Sequence, residues 1–313
     1  MIQFIKNQFK DITMATNSPM PNFSFANKKS EITIWQKTLR TELLKALKLT
    51  HLFSIKKTIP LNINIINSEK NEFWQSQEIS LQSTKTRKIR VKLTTPLKEK
   101  ESYPAIVAIH GHGGSKESVY DKSSQYKGFA TDLANEAITI STDVGQHELQ
   151  DQTLTLMGER LWDLIRCVDF LNQMEIINLK KIGCAGLSLG AEMAMWLGAI
   201  DTRITATVSS GFLTTMDQME KNHCLCWKFD GLRELADWSD IFSLIAPRPL
   251  LCQNGIQEKP EQFPTELAKE AFSLIQPAYK EYGQEQLVDL KIHEGEHEID
   301  LPSLKSFFDN TIL

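Results

Sequence analysis

Gly186-Leu187-Ser188-Leu189-Gly190 sets a serine between two glycines, each two residues away. A serine on a sharp strand-to-helix turn is a nucleophile for acyl transfer. That turn is tight enough to demand nearly side-chain-free neighbours at those two positions. The same five residues also suit plain close packing of a strand on a helix, so partners must decide between the readings. Residues 108–116, AIHGHGGSK, end an apolar run in glycines. Glycines there let backbone N–H groups face a carbonyl oxygen, and the N–H groups of His112 and Leu189 are the expected oxyanion donors. Residues 291–301, KIHEGEHEIDL, offer His293 and His297. His293 closes a strand; His297 lies in the loop beyond it and is the expected general base. Residues 253–264, QNGIQEKPEQFP, contain Glu258 and Glu261. Glu258 is nearer the strand end and is the expected acid that orients His297. Asp237 and Asp240 precede that strand and are expected at another edge.

Two other constellations invite a metal reading. His110 and His112 stand two apart, and Cys224 and Cys226 flank Leu225 beside His223. Neither has C-x-x-C spacing, and no second cluster answers either. Packing is the expected role of these thiols, and neither a metal nor an organic cofactor is expected.

These side chains need elements to hold them. Short continuous apolar runs occur at 105–110, 137–142, 181–186, 204–210, 248–253 and 287–293. Such runs are the mark of parallel strands buried on both faces. Helical stretches at 155–174 and 266–283 lie between several of them. Strand–helix alternation predicts an α/β fold with a mainly parallel central sheet and helices on both faces. Ligands in such sheets sit beyond the carboxyl ends of the strands, where Ser188, His112 and His297 all fall. Residues 77–83 and 88–95 alternate apolar with polar and predict an antiparallel hairpin. Residues 31–49 have helical periodicity, with Ser30 as the expected cap.

Residues 1–30 are read as a flexible N-terminal segment, 31–74 as a helical extension and 75–313 as the main domain. Ile2, Ile5, Phe9 and Ile12 could share one face of a short helix. Residues 1–100 hold 18 Lys and Arg against 7 Asp and Glu, the remainder 17 against 32, and the whole chain carries −4. That whole-chain balance gives no basic footprint for nucleic acid. No apolar run approaches the ~20 residues of a membrane span. Five cysteines, an odd number, mostly within apolar runs, predict reduced thiols and a cytoplasmic setting.

The chain resembles α/β-hydrolases of the dienelactone hydrolase and acetyl xylan esterase-like type. The stretches that carry the resemblance include AIVAIHGHGGSK, GCAGLSLGAE, DWSDIFSLIAPRPLLCQNG and HEGEHEI. The resemblance implies Ser188 as nucleophile and His297 as base, with Glu296 where a glycine is usual. It implies an acid at Glu258, the fourth residue of Gly255-Ile256-Gln257-Glu258, where the family usually has Asp. Nucleophile, acid and base then follow in the chain order of that fold. A cysteine nucleophile is the mark of dienelactone hydrolases proper, and Ser188 argues against that activity.

Residues 211–237 interrupt the strand–helix rhythm with apolar patches and are expected to form a small inserted lid region over the nucleophile. Phe212, Trp227 and His147 are the substrate-pocket candidates. The expected activity is serine carboxylesterase, on a small-molecule ester with a short acyl group, acetylated sugars being the default the resemblance implies. Thioesterase or peptidase action on the same three residues, or a weakly active binding protein, are the alternatives. Nothing in the chain speaks to oligomeric state.

Overall fold

Alternation decides the architecture. In the computed structural model, which describes residues 20–313, successive residues of each central strand enter different cores. Ala105, Val107 and Ile109 face one apolar cluster, while Ile106 and Ala108 face another. A strand buried on both sides must be covered on both sides. Among the described residues the strands are β1 (Asn64–Lys70), β2 (Trp74–Gln82), β3 (Lys88–Pro96), β4 (Tyr103–Ile109), β5 (Ile138–Thr142), β6 (Ile177–Leu187), β7 (Ala206–Ser210), β8 (Leu250–Gly255) and β9 (Val288–His293). They form one sheet in the order β1-β2-β3-β5-β4-β6-β7-β8-β9. From β5 onward all neighbours are parallel, while β1, β2 and β3 join antiparallel. The expected hairpin is β2–β3, and the expected parallel runs are β4 to β9.

The helices are α1 (Ile32–Ala46), α2 (Thr50–Ile55), α3 (Phe129–Leu133), α4 (Leu156–Leu171), α5 (Leu189–Ile200), α6 (Met216–Asn222), α7 (Leu232–Leu235), α8 (Trp238–Ser243), α9 (Thr265–Glu281) and α10 (Leu301–Thr311). Helices α1, α4, α5, α8 and α9 supply the larger core, through residues such as Leu39, Trp162, Trp196, Phe242 and Ile275. Helices α3 and α10 cover the opposite face through Phe129, Leu133, Leu304 and Phe308. This is an α/β-hydrolase fold.

The N-terminal part departs from expectation in three ways. Residues 31–74 are helical only as far as Thr58, and then Asn64–Lys70 forms the outer strand β1. That strand is exposed along its whole length, so its apolar residues bury no face and leave no two-residue rhythm to read. Residues 20–30, expected to be flexible, pack on the body. Phe25 is buried edge-on against Trp35 at 5.0 Å, and the Phe25 N–H donates to Asp240 Oδ1 at 2.7 Å. Two aromatic residues among the prolines and asparagines are enough to anchor the segment. Glu31, not Ser30, precedes α1, and it makes no side-chain cap. The face suggested for Ile2, Ile5, Phe9 and Ile12 lies outside the described residues.

Candidate active site

Ser188 ends β6 and begins α5 with φ 60° and ψ −124°. For a residue bearing a side chain this is a strained conformation, kept only where surroundings enforce it. The enforcement is steric. A Cβ on Gly186 would lie 2.2 Å from Gly190 O, and one on Gly190 would lie 2.3 Å from Ile109 O. The two glycines therefore meet each other and β4 at distances only hydrogen allows. Ser188 is half-buried, and no described side chain hydrogen-bonds to its hydroxyl. As the first helical residue, Leu189 presents an N–H with no intrahelical acceptor.

The His112 loop is held from behind. Val144 N–H donates to His110 Nε2 at 3.0 Å, so the proton sits on Nδ1, which donates to Gly111 O at 2.8 Å. Burial pushes His110 below the usual histidine range. The neutral ring thus ties the end of β4 to the end of β5 without adding charge. Gly111 N–H donates to Tyr126 Oη at 2.6 Å and is thereby already engaged.

His297 and Glu258 meet as the spacing predicts. His297 Nδ1 stands 2.9 Å from Glu258 Oε1. The glutamate side chain is 1% exposed and the histidine 17%. Phe263 stacks on the His297 ring at 5.5 Å and 11°. A Cβ at Gly211 would lie 2.9 Å from His297 Nδ1 and Cε1. Ser188 is joined to the same place, since its N–H donates to Ser210 O at 2.9 Å. Ser188 and the His297 imidazole thus flank Ser210-Gly211. His293 stays in β9, where its Nδ1 accepts from Gly295 N–H. Asp237 and Asp240 form a capping box at the start of α8, and Glu261 is exposed.

A cavity of about 60 Å³ opens on Ser188. Phe212 and Trp227 line it, both fully buried, together with Met219 from the inserted segment. His147 is not in its wall; it is exposed and stacks on His112 at 5.3 Å. Glu192 is in the wall, and sequence reasoning missed it. It is 2% exposed, and among the described residues its Oε1 has no hydrogen-bond partner within ordinary geometry, with Trp196 the nearby donor. Burial, opposed in part by Arg160, pushes its carboxyl up to about 8. The available signal was a carboxylate four residues after Ser188, on the same helical face, in an otherwise apolar helix.

The thiols depart most from expectation. Cys224 is exposed and Cys226 half-buried, so neither is core packing. His112 and His147, from the loops after β4 and β5, converge on them. Residues far apart in sequence supply the answering cluster that neither pair shows locally.

A family model described as glucuronyl esterase of fungi matches residues 79–212, under half of the chain. The "Putative hydrolase YtaP" of Bacillus subtilis is 22% identical over 225 residues, which are 64% of this chain and 75% of that one. A crystal structure from Bacteroides fragilis, described as a "putative acetyl xylan esterase", superposes with TM-score 0.72 at 18% identity, covering 95% of this chain and 87% of its own. A glucuronoyl esterase from Solibacter usitatus superposes with TM-score 0.67 at 14% identity, covering 92% and 96%.

Proposed function

We propose that this α/β-hydrolase is a serine carboxylesterase acting on short acyl esters through an acyl-enzyme. The observation that carries the reading is the strained Ser188 at the head of α5, set across Gly211 from the His297–Glu258 pair. Ser188 Oγ attacks the ester carbonyl carbon while His297 Nε2 takes its proton. Glu258 accepts the Nδ1–H, fixes the tautomer and stabilises the imidazolium. The N–H groups of His112 and Leu189 hold the oxyanion. The intermediate collapses, and His297 returns the proton to the leaving alcohol. Water then attacks the acyl-serine by the same base, releasing the acid and restoring Ser188.

Cavity size argues for a short acyl group. At ~10–15 Å³ per water, about 60 Å³ holds only a few waters, which suits acetyl better than a long chain. The relatives named for acetyl xylan and glucuronoyl ester cleavage support a sugar ester as substrate. Neutral Glu192 in the wall would donate a hydrogen bond to a polar group of such a substrate. Five free thiols support a reducing, cytoplasmic setting, and no helix among the described residues is long and apolar enough to cross a membrane.

A p-nitrophenyl ester series tests this, with active sites counted by a fluorophosphonate. Turnover is expected to be best with acetate and to fall with chain length. Ser188→Ala should lose on the order of 10⁶ in kcat and all labelling. No turnover at any chain length together with no labelling of the wild type would refute the reading.

A further inference from the structure

We infer that His112, His147, Cys224 and Cys226 form a structural site for a thiophilic divalent cation, zinc above all, which clamps the inserted segment over the nucleophile. The four donor atoms all lie within 4.8 Å of one another. His112 Nε2 is 3.1 Å from Cys226 Sγ, and His147 Nε2 is 3.3 Å from Cys224 Sγ. A tetrahedral zinc with its usual Zn–N and Zn–S lengths has donor-to-donor edges of roughly 3.3–3.8 Å. The two His–Cys pairs lie close to those edges, and the widest separation, up to 4.8 Å, would close by roughly 1 Å on binding.

The donor chemistry is selective. Two thiolates with two imidazoles in a tetrahedral arrangement favour zinc over magnesium or calcium, which take oxygen ligands. Three separate loops contribute: those after β4 and β5, and the segment between β7 and β8. Ordinary packing does not explain the convergence, because His112, His147 and Cys224 are all exposed. An outer contact is also in place. Arg160, fully buried in α4, donates to Cys226 Sγ at 3.5 Å and to Gln146 O. Two thiolates cancel the charge of the ion, so the guanidinium faces a neutral centre and orients a ligand.

With four protein ligands the coordination is closed, and the role is structural. The ion would tie Cys224 and Cys226, and with them Trp227 in the cavity wall, to the His112 loop. The site borders the cavity on Ser188 and uses the side chain of His112, whose backbone N–H is the proposed oxyanion donor, but its ligands include neither Ser188 nor His297, so metal binding does not depend on the esterase reading.

The full-length protein, purified under reducing conditions, should retain one zinc per chain by elemental analysis. Replacing zinc with cobalt(II) should give a thiolate-to-cobalt charge-transfer band and intense d–d bands of a tetrahedral centre. Cys224→Ser with Cys226→Ser should lose the metal and both features, and His147→Ala should lose the tetrahedral spectrum. Ser188→Ala should bind metal as the wild type does, which separates failure of this site from failure of the esterase. A wild type that retains no more metal than the double cysteine variant overturns the proposal. So does a weak octahedral cobalt spectrum indifferent to the cysteines.

Discussion

Replacing Glu258 by glutamine changes one charge and almost no volume. Glu258 Oε1 lies 2.9 Å from His297 Nδ1, and the glutamate side chain is 1% exposed. At an effective dielectric near 20, opposite unit charges that close attract by about 4–6 kcal/mol. The attraction exists only once His297 is protonated, which is when Ser188 attacks, so it acts on the barrier. At 1.36 kcal/mol per tenfold, Glu258→Gln should lose ~10³–10⁴ in kcat. That is the scale of amide-for-acid exchange in a serine triad. A second effect has the same sign. Glu258 Oε2 has no partner in the described structure, so the glutamine can rotate its NH₂ toward Nδ1. That would move the ring proton to Nε2, where it blocks uptake of the serine proton. Stability should hardly change, because the carboxylate is not fully satisfied to begin with. Glu261→Gln, at an exposed position on the same loop, is the control and should change kcat by less than about twofold. The assay is steady-state hydrolysis of p-nitrophenyl acetate per labelled active site, with circular dichroism to confirm folding. If Glu258→Gln stays within about tenfold of wild type, or matches Glu261→Gln, Glu258 is not the acid and the electrostatic argument fails.

Other perturbations probe neighbouring parts of the site. Gly211→Ala puts a methyl 2.9 Å from the His297 ring at a residue with φ +62°. The ring must retreat, and kcat should fall on the order of 10² with KM little changed; an unchanged kcat would show that the ring is not held there. Glu192→Gln should alter how stability depends on pH. The folded carboxyl is raised from 4.5 to about 8, so between those values the native state binds more protons than the unfolded chain and wild-type stability falls as pH rises. Glutamine cannot titrate, so the variant should match wild type below pH 4.5 and exceed it by up to about 4 kcal/mol at pH 8. Urea melts across that range check this, and parallel stability curves would mean that Glu192 is not held neutral.

What could be read without coordinates was short-range. Gly186 and Gly190 announce the turn because its clashes involve atoms only a few residues apart or on the adjoining strand. The mostly apolar runs announce β4 to β8 because those strands are buried on both faces over most of their length, whereas β9, at the sheet edge, alternates buried with exposed positions such as Asp289. The order Ser188, Glu258, His297 follows the order of the strands that carry them, and the register of β8 with β9 sets Gly255 beside His293, which brings their following loops together. Long-range convergence was different. His112, His147, Cys224 and Cys226 come from three loops, and their spacing along the chain holds no trace of their spacing in space. The state of Glu192 depends on how completely α5 is enclosed by other elements, and the anchoring of Phe25 depends on Trp35 and Asp240, 215 residues away in the second case. Covalent neighbours set the sterics of a turn, whereas desolvation and ligand convergence belong to whatever the folded chain happens to bring near, and only the tertiary structure decides that.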